Sequence, residues 1–350
     1  MSFTNYDKGR PGVFFTFAEI AQERLAPVDG FVAILSTEYA TPATAGNTYL
    51  FESRKAAADG LGATSEAYKT VKRAFDGGAT RAVVRTLPAT PLVTDYEAAQ
   101  AALLTEFFEA VAFDHIPDTA ALASMVAWVQ EQREENENYT FLVLGGDATR
   151  DADPDLGVAA ALLHQDEFIV NLVNAPKYAD ETLTSAQQAA KVAGQLASLS
   201  LADSLTYTTE DGAIDVNKRL APADVKAVLA AGGYAYEFNG AIVRSIRGIT
   251  TAKTKIRKSL LKQVMVADIK GEVERNWIGK KPNGPNERLA LKGVLASYIN
   301  AYVTAGIVDA AYTIDVVKPA GAADDQLAIT IMVKFVDSME EVYVSVGFTQ

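Results

Sequence analysis

Two segments near opposite ends of the chain have the two-residue period of β-strands, and neither has an obvious partner nearby in sequence. Val342, Val344, Val346 and Phe348 alternate with Tyr343, Ser345, Gly347 and Thr349, which predicts a strand with one apolar face. Toward the other end, the turn-forming run Gly9-Arg10-Pro11-Gly12 precedes Val13, Phe15 and Phe17 on one side of a second short strand. An apolar strand left bare invites aggregation, so each must be covered within its own domain or be added to the sheet edge of another copy. Pattern alone favours pairing inside the domain, the ordinary solution for a terminal strand.

The 350 residues suffice for two or three domains with a substantial core, and 49% apolar against 22% charged residues marks a globular chain. The start, Met1 to Arg10, is polar and does not read as a signal peptide. No apolar run reaches the ~18 residues needed to span a bilayer, so the expected place of synthesis and assembly is a cytoplasm. There is no cysteine, which removes disulfides and thiolate metal sites, and only His115 and His164 offer imidazole. The expectation is no cofactor and no metal.

A formal net charge of −12 argues against nucleic acid and against insertion into anionic membrane. The charge is uneven. Residues 241–280 carry ten basic side chains and three acidic ones, a local balance of +7. This stretch either faces an acidic protein surface or offsets the acidic remainder of its own fold. No aromatic residue interleaves it before Trp277, so it does not fit a stacking platform for single strands.

Periodicity predicts a strand over 30–35, a helix over 65–75 closed by Gly77-Gly78, and a strand over 82–85. The alternation continues with a helix over 119–132, a strand over 140–144, a helix over 156–163, a strand over 168–173 and a helix over 185–199. This is α/β architecture with parallel crossovers. Pro222 opens a further helix that Gly232-Gly233 ends. Asn239-Gly240 then marks a hairpin between 234–238 and 241–249. Two long helices follow over 255–277 and 287–305, separated by the breaker-rich run 279–285. Strands over 312–317 and 329–335 and the last apolar segment close an α+β region.

The catalytic signatures are weak. Ser259-Leu-Leu-Lys262 has the spacing of a serine-lysine pair but no accompanying Lys-Thr-Gly. Asp151, Asp153 and Asp155 imitate the start of a calcium loop, yet Leu156 and Leu162 stand where the glycine and the bidentate glutamate belong, leaving a solvated turn and helix start. Gly145-Gly146-Asp147 follows a strand but lacks the rest of a phosphate-binding motif, so it reads as an ordinary strand-to-helix turn. His115 and His164 have no motif partner to orient them and read as surface or helix-terminal histidines.

Three segments, Ser204-Leu-Thr-Tyr-Thr-Thr-Glu-Asp-Gly-Ala213, Lys218-Arg-Leu-Ala-Pro-Ala-Asp224 and Tyr234-Ala-Tyr-Glu-Phe-Asn-Gly240, resemble the contractile tail sheath proteins of phages. The likeness is to the branch found in defective prophages and phage-tail-like bacteriocins. Gly9-Arg-Pro-Gly-Val13, Ala189-Ala-Lys-Val-Ala-Gly-Gln-Leu-Ala197, Val243-Arg-Ser-Ile-Arg-Gly-Ile-Thr-Thr251 and Val336-Asp-Ser-Met-Glu-Glu-Val-Tyr-Val344 are similar to further family stretches in the same order. The turn Ala252-Lys-Thr-Lys255 is shorter than its counterpart in relatives.

The resemblance implies a structural protein, not an enzyme. It implies an N-terminal linking arm (1–24), an α/β outer or middle region (25–232), a C-terminal α+β sheath domain (233–335) and a C-terminal linking arm (336–350). Copies would stack as hexameric rings around an inner tail tube, between baseplate and tail terminator proteins, with no nucleic acid partner and no membrane insertion. Assembly would take place in a bacterial host cytoplasm, and release after lysis. The arms carrying Val13, Phe15, Phe17, Val342, Val344, Val346 and Phe348 would exchange between subunits, which reverses the expectation from pattern alone. Lys255, Arg257, Lys258 and Lys262 would face the tube, where polar contacts hold and yet release. The competing class is a cytoplasmic α/β enzyme with a C-terminal oligomerisation module.

Overall fold

The computed structural model describes residues 30–338 and Glu340. The chain divides into two compact units that meet in sequence at Lys281 and Pro282.

In the first unit, β1 (Phe31–Ser36) is followed by β2 (Thr48–Phe51), α1 (Arg54–Leu61), α2 (Glu66–Asp76) and β3 (Arg81–Thr86). Next come α3 (Val93–Leu103), β4 (Ala110–Phe113), α4 (Thr119–Asn136), β5 (Phe141–Leu144), α5 (Ala148–Ala152), α6 (Pro154–His164) and β6 (Ile169–Leu172). The unit continues with β7 (Pro176–Lys177), α7 (Ser185–Ser198), β8 (Asp215–Val216), α8 (Pro222–Ala231), β9 (Gly233–Tyr234), β10 (Tyr236–Phe238), β11 (Val243–Ser245) and α9 (Ile256–Asn276). The expected strand–helix alternation is present. The periodicity did not reveal β2, α1, α3 or β4.

Seven strands form one sheet in the order β2-β3-β1-β4-β5-β6-β9, in which only β2 runs antiparallel to its neighbour. Alternation along β1 sends Ala33 and Leu35 to one face, where they share a core with Tyr96, Ala99 and Leu103 of α3 and Ala121, Met125 and Trp128 of α4. The other face carries α7, which touches β1, β4, β5 and β6 and packs against α2. That packing is close because α7 is built of small residues. A Cβ on Gly194 would lie 2.1 Å from the carbonyl oxygen of Ala74, so only glycine fits.

Local caps set the helix starts. Ser65 accepts from the Tyr68 amide, Asp118 from Ala120 and Ala121, and Thr184 and Gln187 form a reciprocal capping box on α7. Pro222 occupies the first position of α8, and Asp224 accepts from the Ala221 amide.

The expected break between 232 and 233 is not where the fold divides. Gly233 and Tyr234 pair in parallel with Asn171 and Leu172, making β9 the last strand of the large sheet. Beyond it, Thr251 donates its amide to Ile169 O at 2.8 Å and exchanges side-chain bonds with the backbone of Asp166. Helix α9 then runs along the amino-terminal edge of the parallel strands. Gln263 donates to Glu109 O and Tyr139 O, just ahead of β4 and β5, and Lys262 to Glu167, just ahead of β6.

The second unit contains α10 (Pro285–Thr304), β12 (Thr313–Val317) and β13 (Ala328–Met332). Leu291, Leu295, Ile299 and Tyr302 form the buried stripe of α10 at helical spacing, and β12 packs against this helix.

Candidate assembly site

β12 and β13 form an antiparallel hairpin, in register from Thr313↔Met332 to Val317↔Ala328. A further bridge, Val308↔Phe335, and the bonds Asp309 N to Lys334 O and Val336 N to Ile307 O prolong it toward its open end. Among the described residues this sheet has two strands only, so each strand has one paired edge and one edge without a strand partner there. Two-stranded sheets are marginal in water and gain from added strands. The sequence-derived arm residues Val13, Phe15, Phe17, Val342, Val344, Val346 and Phe348 lie outside the described residues.

The basic stretch separates into internal and outward parts. Arg257 is buried and donates through Nε to Leu201 O at 2.7 Å. Lys262 is buried and reaches Glu167 at 2.5 Å. Lys270 donates to Asn136 O, and Arg244 pairs with Glu237 while lying over the Tyr207 ring. Arg257 and Lys262 therefore hold the subunit's own loops, contrary to their expected tube-facing role. Lys255 and Lys258 are half-exposed. The local excess of positive charge is in part an offset of the acidic remainder of the same fold.

Several buried carboxylates were invisible to motif reading. Asp166 accepts both guanidinium nitrogens of Arg133 at 2.8 and 2.9 Å, the Gln130 amide and the Phe168 backbone N–H. Burial pushes this carboxyl up, but the Arg133 bonds and charge outweigh it and hold it below the usual range. Glu210, within the family-like segment 204–213, accepts from Gln188, Gln195, Tyr178, Tyr236 and Lys191.

Asp151 is not part of a solvated turn. Its carboxylate accepts the Ser185 amide at 2.6 Å, the Ser185 hydroxyl at 2.5 Å and the Asn217 amide at 2.7 Å. Burial pushes its carboxyl above the usual range in spite of these bonds. Asp147 and Asp153 do cap helices, as a turn reading requires. The glycines before them have a steric task, since a Cβ on Gly145 would lie 2.1 Å from the backbone of Ser185 at the start of α7.

His115 is also oriented, contrary to expectation. Its Nδ1 lies 2.8 Å from Asp114 and its Nε2 2.6 Å from the Tyr96 hydroxyl. Tyr96 is buried, and burial drives its phenol far above the ordinary value. Neither histidine sits in a group able to hold a metal ion among the described residues. No helix among them is long and apolar enough to cross a membrane.

This fold is a two-part α/β scaffold whose buried polar groups are largely consumed in holding it together. A family model described as the phage tail sheath protein central domain matches residues 91–251, and one described as the phage tail sheath C-terminal domain matches residues 250–349. The chain belongs to the phage tail sheath protein family and is a structural subunit of a contractile tail sheath. No curated protein gives a match.

Solved structures share the fold at low identity. The sheath tail protein of Desulfitobacterium hafniense is 16% identical, with 93% of this chain and 100% of that chain covered at a TM-score of 0.67. A chain of the anti-feeding prophage helical sheath in the contracted state is 15% identical, with 97% and 99% covered and a TM-score of 0.68. A chain of the six-fold symmetrised anti-feeding prophage baseplate structure is 16% identical, with 98% and 99% covered and a TM-score of 0.69.

Proposed function

We propose that copies of this chain stack as six-fold rings around an inner tail tube, join a baseplate below and a terminator above, and contract to drive the tube through a target envelope. The observation that carries this reading is the hairpin of β12 and β13, a small sheet with no further strand among the described residues, in a protein that has two further apolar alternating segments to supply. Residues 1–24 and 336–350 then act as linking arms that add strands to the hairpin of a neighbouring copy.

The energetics favour a lattice over a pair. Each buried apolar side chain of an added strand contributes about 1.5–3 kcal/mol, and each net backbone hydrogen bond about 0.5–1.5 kcal/mol. Association costs about 4–15 kcal/mol, so one strand links weakly while a subunit tied by both arms is held firmly. Head-to-tail contacts that do not close on themselves generate a helical polymer from one subunit type. Contraction is then a rigid-body rearrangement between two lattices, with the arms and the β12–β13 loop absorbing the change.

Lys255 and Lys258 are the remaining tube-facing candidates of the basic helix. Reversing both charges impairs assembly on the tube if they face it and leaves sheath-on-tube particles unchanged if they do not. Assembly belongs in the host cytoplasm, followed by release with the particle. Negative-stain microscopy of the purified protein tests the central reading. Striated tubes or rings support it, and compact particles at all concentrations overturn it.

A further inference from the structure

The large sheet is doubly wound about β1. From β1 the chain passes through α1 and α2 to β3 on one side, then through α3 to β4 on the other side of β1. The carboxyl ends of β1 and β4 therefore flank the topological switch point, the crevice in which open α/β sheets receive their ligands. In such folds the ligand's anionic group is commonly met by backbone N–H groups at that edge.

Here the crevice is filled from within. Asp114, the first residue after β4, has a fully buried side chain. One of its oxygens accepts the Thr37 amide at 2.9 Å and lies 2.8 Å from His115 Nδ1; the other accepts the Ser36 hydroxyl at 2.5 Å and the Glu38 amide at 3.1 Å. Two consecutive backbone N–H groups, a hydroxyl and an imidazole thus converge on one carboxylate. The Tyr96 hydroxyl lies 2.6 Å from His115 Nε2 and can donate to it, which leaves Nδ1 as the ring nitrogen able to donate toward Asp114. Asp151, in α5, is a second buried carboxylate held by internal donors, the first amide of α7 among them.

We propose that Asp114 is a built-in anion: the residues around it form a small-carboxylate site at the switch point, and the chain closes that site with a side chain of its own. The cradle formed by Ser36, Thr37, Glu38 and His115 has the chemistry to take a free planar oxyanion such as formate once the Asp114 carboxylate is removed. This goes beyond the sheath function and is independent of it. It accounts for a doubly wound sheet serving as a rigid structural block whose geometry does not vary with ligand supply.

The test is chemical rescue of Asp114→Ala in the full chain, with thermal unfolding followed in sodium formate and in sodium chloride at equal ionic strength. The variant is expected to melt below the parent protein. Saturating formate is expected to raise its Tm by about 5 °C over chloride, along a saturating curve, while the parent protein responds alike to both salts. Removal of an exposed carboxylate by Asp59→Ala is the control and is expected to show no formate-specific shift. An Asp114→Ala protein that responds to formate no more than the parent does overturns the proposal. If the variant does not fold in chloride, refolding from denaturant gives the answer: recovery in formate alone supports the site, and equal recovery or none in both salts overturns it.

Discussion

The two units of this protein solve the problem of polar satisfaction in opposite ways. The first, ending at Lys281, surrounds its sheet with helices and uses its own side chains to satisfy buried charge, with Arg133 on Asp166, Lys191 on Glu210 and Ser36 on Asp114. The second, beginning at Pro282, lays one helix on a two-stranded hairpin and leaves strand edges that nothing among the described residues pairs. A wide sheet packed between helices gives a body that moves without deforming. An incomplete sheet gives a place where another copy can attach. On the reading proposed above, the first unit supplies the rigid body and the second the attachment.

Removing residues 336–350 strikes hardest at that contrast. The truncated protein is expected to lose tube formation altogether in the microscope while calorimetry still records the unfolding of the first unit; tubes of ordinary length would show that attachment does not use this segment. Next in size is Asp166→Ala, which leaves the partly buried Arg133 without this partner and is expected to cost about 3–5 kcal/mol in chemical denaturation. Its counterpart in the second unit, Ile299→Ala, removes a fully buried side chain from the stripe of α10 and should cost about 2–5 kcal/mol. If the units are separate bodies, the two substitutions shift different transitions, and a common shift would merge them into one.

The smallest effect concerns acid. Asp166 is held below the usual carboxylate range when folded, so the stability it supplies is complete above the unfolded value of about 3.9 and is lost as pH falls through the lower folded value. Asp166→Asn should therefore be less stable than the parent at neutral pH and flatter in its pH dependence below about pH 4. An unaltered acid limb would show that Asp166 does not govern it.

Strong periodic segments were legible in the residues alone. β1, β3, β5 and β6 announce themselves by dense Val, Ile, Leu and Phe, and α7 by its run of small residues. The order of the motifs, read jointly, pointed to the sheath family. β4 escaped because Ala-Val-Ala-Phe is short and has little β-branching, and with it went the significance of Asp114 and His115 at its end. The basic run was legible as charge but not as burial. Arg257 and Lys262 look like a solvated face until their partners Leu201 and Glu167 are found 56 and 95 residues away.

By itself the sequence determined the α/β alternation, the glycine ends of α2 and α8 and the turn at Asn239-Gly240. These depend on dihedral preference and on the period of apolar residues, which act over a few positions. Only the tertiary structure decided that β9 closes the large sheet, that α9 belongs with the first unit and that Asp114 fills the crevice beside β1. Each of those rests on groups brought together from distant parts of the chain, such as Ser36 and Asp114 at a separation of 78 residues. The satisfaction of a buried charge is set by who arrives beside it, and that is a property of packing.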